Sequence, residues 1–559
     1  MQKKQTILVV ASLLVVVLSV TLAYFTAQII GKGKNVTINS ADLKIIFTDS
    51  DGSISGTNIE PGKWDVTKTF TIENKSNETY KYNIVMQNLI NTFVTNGYLQ
   101  YKITSTNGGY NMTEFKDVPK SETATDTILA YSVSIPVGVT QSYTVEFKYS
   151  NDVSVDQSED MGKKLSGKLF ITEGTEEPVT LLSQLLVDNP TRSTRSNNNN
   201  GTNDFATPLT TTTKGTLFTS TESIAGSTPK EVYYYAGNTT NNWVKFGKYQ
   251  NDLIRYRGYY STTNTSYREY STMDECTSAS SYNINCTEYK YANAGDDIYW
   301  RIIRTNHDGS IRLLYAGTSP DTTNGNIGES LFNSSSNSSK YVGYKYGEDT
   351  SLDTIRNNTT DSTIKTYVDN WYKNNLINYT KYLSTSAVYC NDRNEGTGQT
   401  YSASSEFNLA PYYRMDLDTK GEKANPSYNC TDIRDAFSVD NTSAKLDYPV
   451  SLMTADEIAF AGGVAFKTMS TPYAWFISNS AGTQVSFDWW SLSPIRLIVV
   501  FGPVAGVWGW YSGSARLDNI GVGDTNAVRP VISLKTCTLW TSGNGAPETP
   551  YEISTTSGC

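Results

Sequence analysis

Histidine is almost absent from this chain of 559 residues, which contains only His307. Nucleophilic triads and most zinc sites draw on imidazole, so a single histidine leaves little room for either. Cysteine is sparse as well: six occur, all beyond the first third, and none stands in a metal-holding Cys-x-x-Cys pair. There is no GxxxxGKS/T loop to cradle phosphate and no GxGxxG following a strand. Charged residues are only 18% of the chain, the net charge is −9, and no basic patch stands out, so nucleic acid is not an expected partner. A glycosidase needs only two carboxylates, but nothing marks such a pair. Asp456 and Glu457 read more simply as first-turn residues favouring a helix dipole. The expectation is a protein that is not an enzyme, with no cofactor and no metal ligands.

What is abundant is aromatic and polar. Tyrosine (39) and tryptophan (10) stand among Asn, Ser and Thr, a composition suited to a secreted or surface β-rich protein that binds through aromatics. The length calls for more than one domain. Lys3 and Lys4 precede an apolar run from Thr6 to Phe25. About 20 helical residues span a ~30 Å hydrocarbon core, so residues 1–30 read as a signal anchor. A cleaved signal peptide, with Thr21 and Ala23 before the cut, is the alternative. Either way the remainder is exported, to the cell surface or the medium, where an even number of cysteines favours disulfides. Pairing nearest neighbours closes the shortest loops: Cys276–Cys286, Cys390–Cys430 and Cys537–Cys559.

Residues 35–174 read as an all-β sandwich. Tyr143, Val145, Phe147 and Tyr149 alternate with Thr144, Glu146 and Lys148, giving one buried and one solvated face. Ile59 to Met86 reads as two strands joined by a polar turn. Residues 175–230 are rich in Thr, Ser and Asn and read as a linker or stalk, relieved only by a short helical turn in Thr180 to Val187. From residue 231 to 559 strands return. A hairpin pairs Tyr299–Arg304 with Ser310–Tyr315 across a turn at Asp308-Gly309, which places His307 at its tip as a solvated residue. Ile364, Tyr367, Val368, Trp371 and Tyr372 recur at helical spacing as a core stripe. A second helix opens on a capping box, Thr454 with Glu457, and ends at Gly462-Gly463.

One tract breaks the pattern. Between WWSLSP (Trp489 to Pro494) and VRPVISL (Val528 to Leu534), residues 495–527 show neither sustained strand alternation nor a helical period. They lack Lys, Glu, Gln and Met, although roughly 13% of the chain is made of these four and about four would be expected. Those four, with Trp, are the residues that no codon ending in C encodes. Randomising the first two bases of Asn codons yields every residue of the tract except Trp508 and Trp510, which would be fixed positions. A charge-poor buried strand pair is the competing reading. Arg496, Arg516, Asp518, Asp524 and six glycines argue against it.

A frame of WWSLSP, an erratic tract and VRPVISL resembles the C-terminus of target proteins of diversity-generating retroelements. Their C-type-lectin-like domain, of the formylglycine-generating-enzyme type, presents a rewritten ligand-binding surface. Tyr299 to Gly317, Ser362 to Leu376 and Leu452 to Gly463 match more loosely. The resemblance implies an α+β C-type-lectin-like domain over 231–559, and a ligand surface drawn from Ile495, Arg496, Ile498, Phe501, Gly506, Gly509, Tyr511, Gly513, Ala515, Arg516, Asp518, Asn519, Ile520, Gly521, Gly523 and Asp524. Such a surface is expected to be exposed and dispensable for folding. Residues 35–174, with LAYFTA (Leu22 to Ala27), resemble TasA and camelysin-like exported surface proteins. Camelysin-type peptidase activity is not carried over, because this region contains neither His nor Cys. The combined expectation is a mainly β, multidomain, anchored or secreted binding protein, an adhesin or receptor for a protein or glycan ligand on another cell, phage or host surface. The alternative is a structural matrix or fibre subunit that self-associates through its sandwich.

Overall fold

In the computed structural model the chain is mainly β, 43% strand against 13% helix. Described are residues 36–37, 43–47, 52–56, 59–196, 203–259, 267–270, 272–278, 285–320, 325–415, 424–470, 473, 488–499 and 502–556. The expected membrane segment at Thr6 to Phe25 lies outside them. Among the described residues no helix is long and apolar enough to cross a membrane. The chain divides into two compact units, Met1–Glu177 and Pro178–Cys559.

The first unit is two sheets around one core. One has six strands with Trp64–Asn74, Thr140–Tyr149 and Leu99–Ser105 at its centre; the other has four, with Leu165–Glu173 and Tyr80–Asn91 inside. All pairings are antiparallel. Period-two alternation builds the core: Tyr143, Val145, Phe147 and Tyr149 are all buried, while Glu146 and Lys148 between them stay partly exposed. From the second sheet Ile84, Met86 and Leu169 meet them in the same cluster.

The second unit begins about fifty residues earlier than expected. The described residues 178–196 and 203–230 form a helix and strands of this unit rather than a linker. Thr180 caps helix α1 (Leu181–Asp188) by accepting from the Ser183 N–H, and Leu181 and Leu185 are fully buried. Thr216–Glu222 pairs with Lys230–Tyr234 inside a ten-stranded sheet. Thr- and Ser-rich composition misleads here because β-branched Thr suits a strand as well as a stalk. The deciding residues, Leu217, Phe218 and Phe205, are few but buried.

That sheet continues through Asp297–Thr305, Ile311–Gly317, Pro530–Leu534 and Val450–Leu452. The first two form the expected hairpin, with Gly309 at φ +78° in its turn. Helix α2 (Thr363–Asn375) lays Ile364, Val368, Trp371 and Tyr372 into the core, with Trp371 edge-on to Tyr315 at 5.4 Å. Two disulfides, Cys276–Cys286 and Cys390–Cys430, join nearest neighbours. Cys537 is also disulfide-bonded, and Cys559, the remaining cysteine, lies outside the described residues.

His307 is not a free turn residue. Its backbone N–H donates to Glu222 Oε2 at 2.5 Å, and its Nδ1 sits 3.5 Å from the same oxygen. Glu222 belongs to the segment expected to be a stalk, so its approach was hidden. Glu222 also takes both Arg304 terminal nitrogens, at 2.9 and 3.1 Å. Burial opposes the charged form of Glu222, but Arg304, His307 and Arg312 outweigh it and hold the carboxyl at about 2. A carboxylate depressed in the folded state contributes stability that is complete above its unfolded value, 4.5, and lost as pH falls through the folded one. Glu222→Gln is therefore expected to lower stability at pH 7 by roughly 3–5 kcal/mol, because Arg304 is left buried without half its partners. It should also flatten the loss of stability between pH 4.5 and 2. Thermal melts of both proteins across that range check this, and parallel curves would refute it.

Candidate functional site

The described residues of the tract, 495–499 and 502–527, form three consecutive antiparallel strands and a fourth that returns beside the first. They lie in a six-stranded sheet made of β1 (Glu329–Leu331), β2 (Phe407–Asn408), β3 (Trp489–Ile498), β4 (Val504–Tyr511), β5 (Arg516–Gly521) and β6 (Thr525–Ala527). The strand order is β1-β6-β3-β4-β5, with β2 on the free part of β3. The expected lack of strand character is thus corrected. Six glycines and a bulge between Trp490 and Arg496 interrupt the alternation that would have announced it.

Four indoles hold these strands. Trp489, Trp490, Trp508 and Trp510 are all at most 1% exposed. Trp490 donates from its ring nitrogen to the Ser330 carbonyl at 2.8 Å, and Trp508 to that of Pro411 at 3.3 Å. Trp489 and Trp510 lie opposite each other with ring centres 6.4 Å apart. The two residues that codon reasoning sets aside as fixed are thus core pillars.

Register assigns the remaining positions to faces. Gly506 faces Gly521, Trp508 faces Asn519, and Trp510 faces Leu517; Val507 faces Ile520, Gly509 faces Asp518, and Tyr511 faces Arg516. On the first face of β4, exposure rises from buried Trp510 and Trp508 to Val504 at 41%. On the second it rises from buried Ala505 and Val507 to Tyr511, also 41%. Each end of the strand thus presents a different face. One patch gathers Arg496, Ile498, Val504, Asn519 and Gly521, all partly or well exposed, beside exposed Asp524 and Gly523. The other gathers Tyr511 and Gly513 with Arg516 and Asp518, which pair at 2.6 Å.

The fifteen described residues of the expected site therefore do not form one surface, and several are not surface at all. Ile495, Gly506, Gly509, Ala515 and Ile520 are buried, so the expectation of a tract dispensable for folding is corrected for these positions. Gly509 is a packing glycine, since a Cβ there would lie 2.9 Å from the Trp489 carbonyl and collide with Ile520. Phe501 lies outside the described residues.

Neighbours outside the tract complete the first patch. Ser336 accepts from the Ala505 N–H at 2.7 Å. Helix α3 (Ala410–Met415) brings Tyr412 beneath the Arg496 guanidinium, with 5.5 Å between Cζ and ring centre. Phe466, 40% exposed and at φ +56°, lies 5.3 Å from Trp508. No periodic signal in the sequence points to Ser336, Tyr412 or Phe466. Elsewhere, Asp361, Asp369 and Asp447 cluster as a cation cage would, but the Lys365 ammonium already sits 3.1, 2.6 and 2.7 Å from them. Burial pushes the Asp369 carboxyl up to about 6 against the pull of that lysine.

The chain matches no protein-family model, and no curated protein matches it significantly.

Burial separates the tract into tolerant and intolerant positions. Ile498→Asn and Tyr511→Asn are expected to change stability by no more than about 0.5 kcal/mol each. Ile520→Asn, at 6% exposure, is expected to cost about 2–4 kcal/mol, and Gly509→Ala about 1–3. Denaturant unfolding of the four variants checks the ordering. Equal losses at Ile498 and Ile520 would refute it.

Proposed function

We propose that this chain is an exported binding protein, an adhesin or receptor, whose C-terminal unit recognises diverse ligands through the exposed part of residues 495–527. The observation that carries the reading is the match between composition and placement. The tract avoids residues that C-ending codons cannot encode, and its two exceptions, Trp508 and Trp510, are buried pillars. The positions left partly exposed, Arg496, Ile498, Asn519, Gly521, Tyr511, Arg516 and Asp518, are those a rewritten surface can change while the sheet persists. Disulfides support export, since they persist in oxidising compartments. On this reading the second unit is a C-type-lectin-like domain of a diversity-generating retroelement target, the first a TasA or camelysin-like sandwich, and the apolar N-terminal segment the membrane attachment. The alternative, a matrix or fibre subunit that self-associates through its first unit, leaves the codon-limited composition unexplained.

Two alleles that differ only at the partly exposed positions are expected to bind different targets on a glycan and cell-surface array while giving superimposable circular dichroism spectra and melting temperatures. Identical binding profiles across several such alleles would favour the structural subunit instead.

A further inference from the structure

Helix α2 carries a fully buried lysine, Lys365, whose ammonium meets carboxylates from three parts of the chain. Asp361, in the short strand before the helix, lies 3.1 Å away; Asp369, one turn on, 2.6 Å; and Asp447, in the loop leading to Val450–Leu452, 2.7 Å. That loop is attached twice more. Tyr448 stacks on Tyr372 of α2 with 5.1 Å between ring centres, and the Lys445 carbonyl accepts from Lys345 Nζ at 3.3 Å. Lys345 stands opposite Asp361 in a strand pair and bonds it at 3.2 Å. The Tyr344 phenol is buried beside them; burial, and next the Asp369 charge, push it well above the ordinary range, so it stays neutral. Among the described residues three carboxylates thus meet two ammoniums, and one negative charge is left over. Such a charge is tolerated in water and costly inside. The side chains of Asp447 and Asp361 reach solvent, 58% and 36% exposed, whereas that of Asp369 is 13% exposed. The surplus falls on Asp369.

We propose that these groups form a proton-operated latch, which fastens the loop at 445–449 to α2 in mildly acidic surroundings and slackens it above neutrality. The latch is independent of the binding reading. Ionised, Asp369 competes with Asp447 and Asp361 for one ammonium, with oxygens of all three within 4.8 Å of one another. Protonated, it donates to a neighbouring carboxylate oxygen and leaves Lys365 to the other two, which draws Asp447 and its loop inward. Burial favours the neutral form of Asp369 and brings its carboxyl up to about 6, while Lys365 pulls the other way. Burial also opposes the charge on Lys365, but its carboxylates hold the ammonium above the ordinary range. The bond to Lys365 keeps Asp447 below the ordinary carboxylate range. The proton therefore moves on and off Asp369. A carboxyl raised in the folded state adds stability that is complete below its unfolded value, 3.8, and lost as pH rises through about 6. Glu222 has the opposite sign, and its contribution fails only below 4.5, so the two windows separate.

Urea unfolding of the full chain at about pH 7.5 and about pH 5 tests the latch. Hydrogen exchange at the same two values, corrected for the intrinsic effect of pH, reports on the amides of residues 440–449. On going to the lower pH the folding equilibrium constant of the second unit is expected to rise about tenfold, the factor set by a carboxyl at about 6 folded and 3.8 unfolded. The loop amides are expected to gain protection in step. Asp369→Asn, which fixes the neutral form, is expected to abolish both changes and to show at the higher pH the loop protection that the wild type reaches only at the lower. Asp447→Asn, at an exposed position, removes a repulsion that helps raise Asp369, and its midpoint is expected to move to lower pH with the fold intact. A lysine acting only as a structural staple leaves these profiles flat. A wild type indifferent to pH over this range, a dependence that survives Asp369→Asn, or loop protection that does not follow pH overturns the proposal.

Discussion

The C-terminal unit is organised around one buried carboxylate. Glu457, 1% exposed, closes the capping box of α4 (Ala455–Ala461) by accepting from the Thr454 N–H at 2.9 Å. It also binds Arg304 Nε at 2.8 Å and Arg312 at 2.5 Å, one from each arm of the central hairpin. Arg304 in turn carries Glu222, and through it the strand Thr216–Glu222 and the His307 turn. Burial works against the charge on Glu457, yet Arg312 and Arg304 keep its carboxyl below the ordinary range. Such a network adds little net energy over an apolar core, but breaking one link leaves a bare charge inside. It therefore fixes which strand lies beside which helix.

Similar clusters repeat around it. Arg414 bridges Asp392 and Asp456, and Arg356 and Arg393 share Asp435. The long connections of this unit are thereby held by specific polar contacts as well as by apolar packing. A scaffold over-determined in this way can carry a segment whose side chains vary. Among the described residues of this unit most ionic contacts lie within 222–457, and within 495–527 Arg516 pairs with Asp518.

Much of this was legible wherever the information is local. The alternation through Tyr149, the hairpin at Gly309, the Thr454 capping box and the Cys276–Cys286 and Cys390–Cys430 pairs each depend on residues close in sequence, and the structure has them. What depends on distant partners was not legible. Leu181 meets the far end of the unit, its N–H donating to the Thr538 carbonyl, and composition averaged over a Thr-rich window hides two buried leucines, Leu181 and Leu217. His307 looked solvated because Glu222 comes from that same window. The tract looked irregular because glycine at 506 and 509 replaces the side chains that would have shown a period of two, and those glycines exist for packing against Asn519, Ile520 and Trp489.

On the proposed reading, the same packing would limit what rewriting of the tract could achieve. A strand that exposes one whole face could vary every second residue; β4 instead exposes Val504 on one face and Tyr511 on the other, with Trp508 and Trp510 buried between. A side chain at 506 or 509 would collide with its neighbours, and 515 and 520 are buried, so on that reading codon freedom there would exceed structural freedom. The variable chemistry would then be confined to two small patches seven residues apart along the strand, roughly 23 Å at 3.3 Å per residue. On the proposed reading the two patches would act as separate sites, because β4 presents Val504 on one face and Tyr511 on the other.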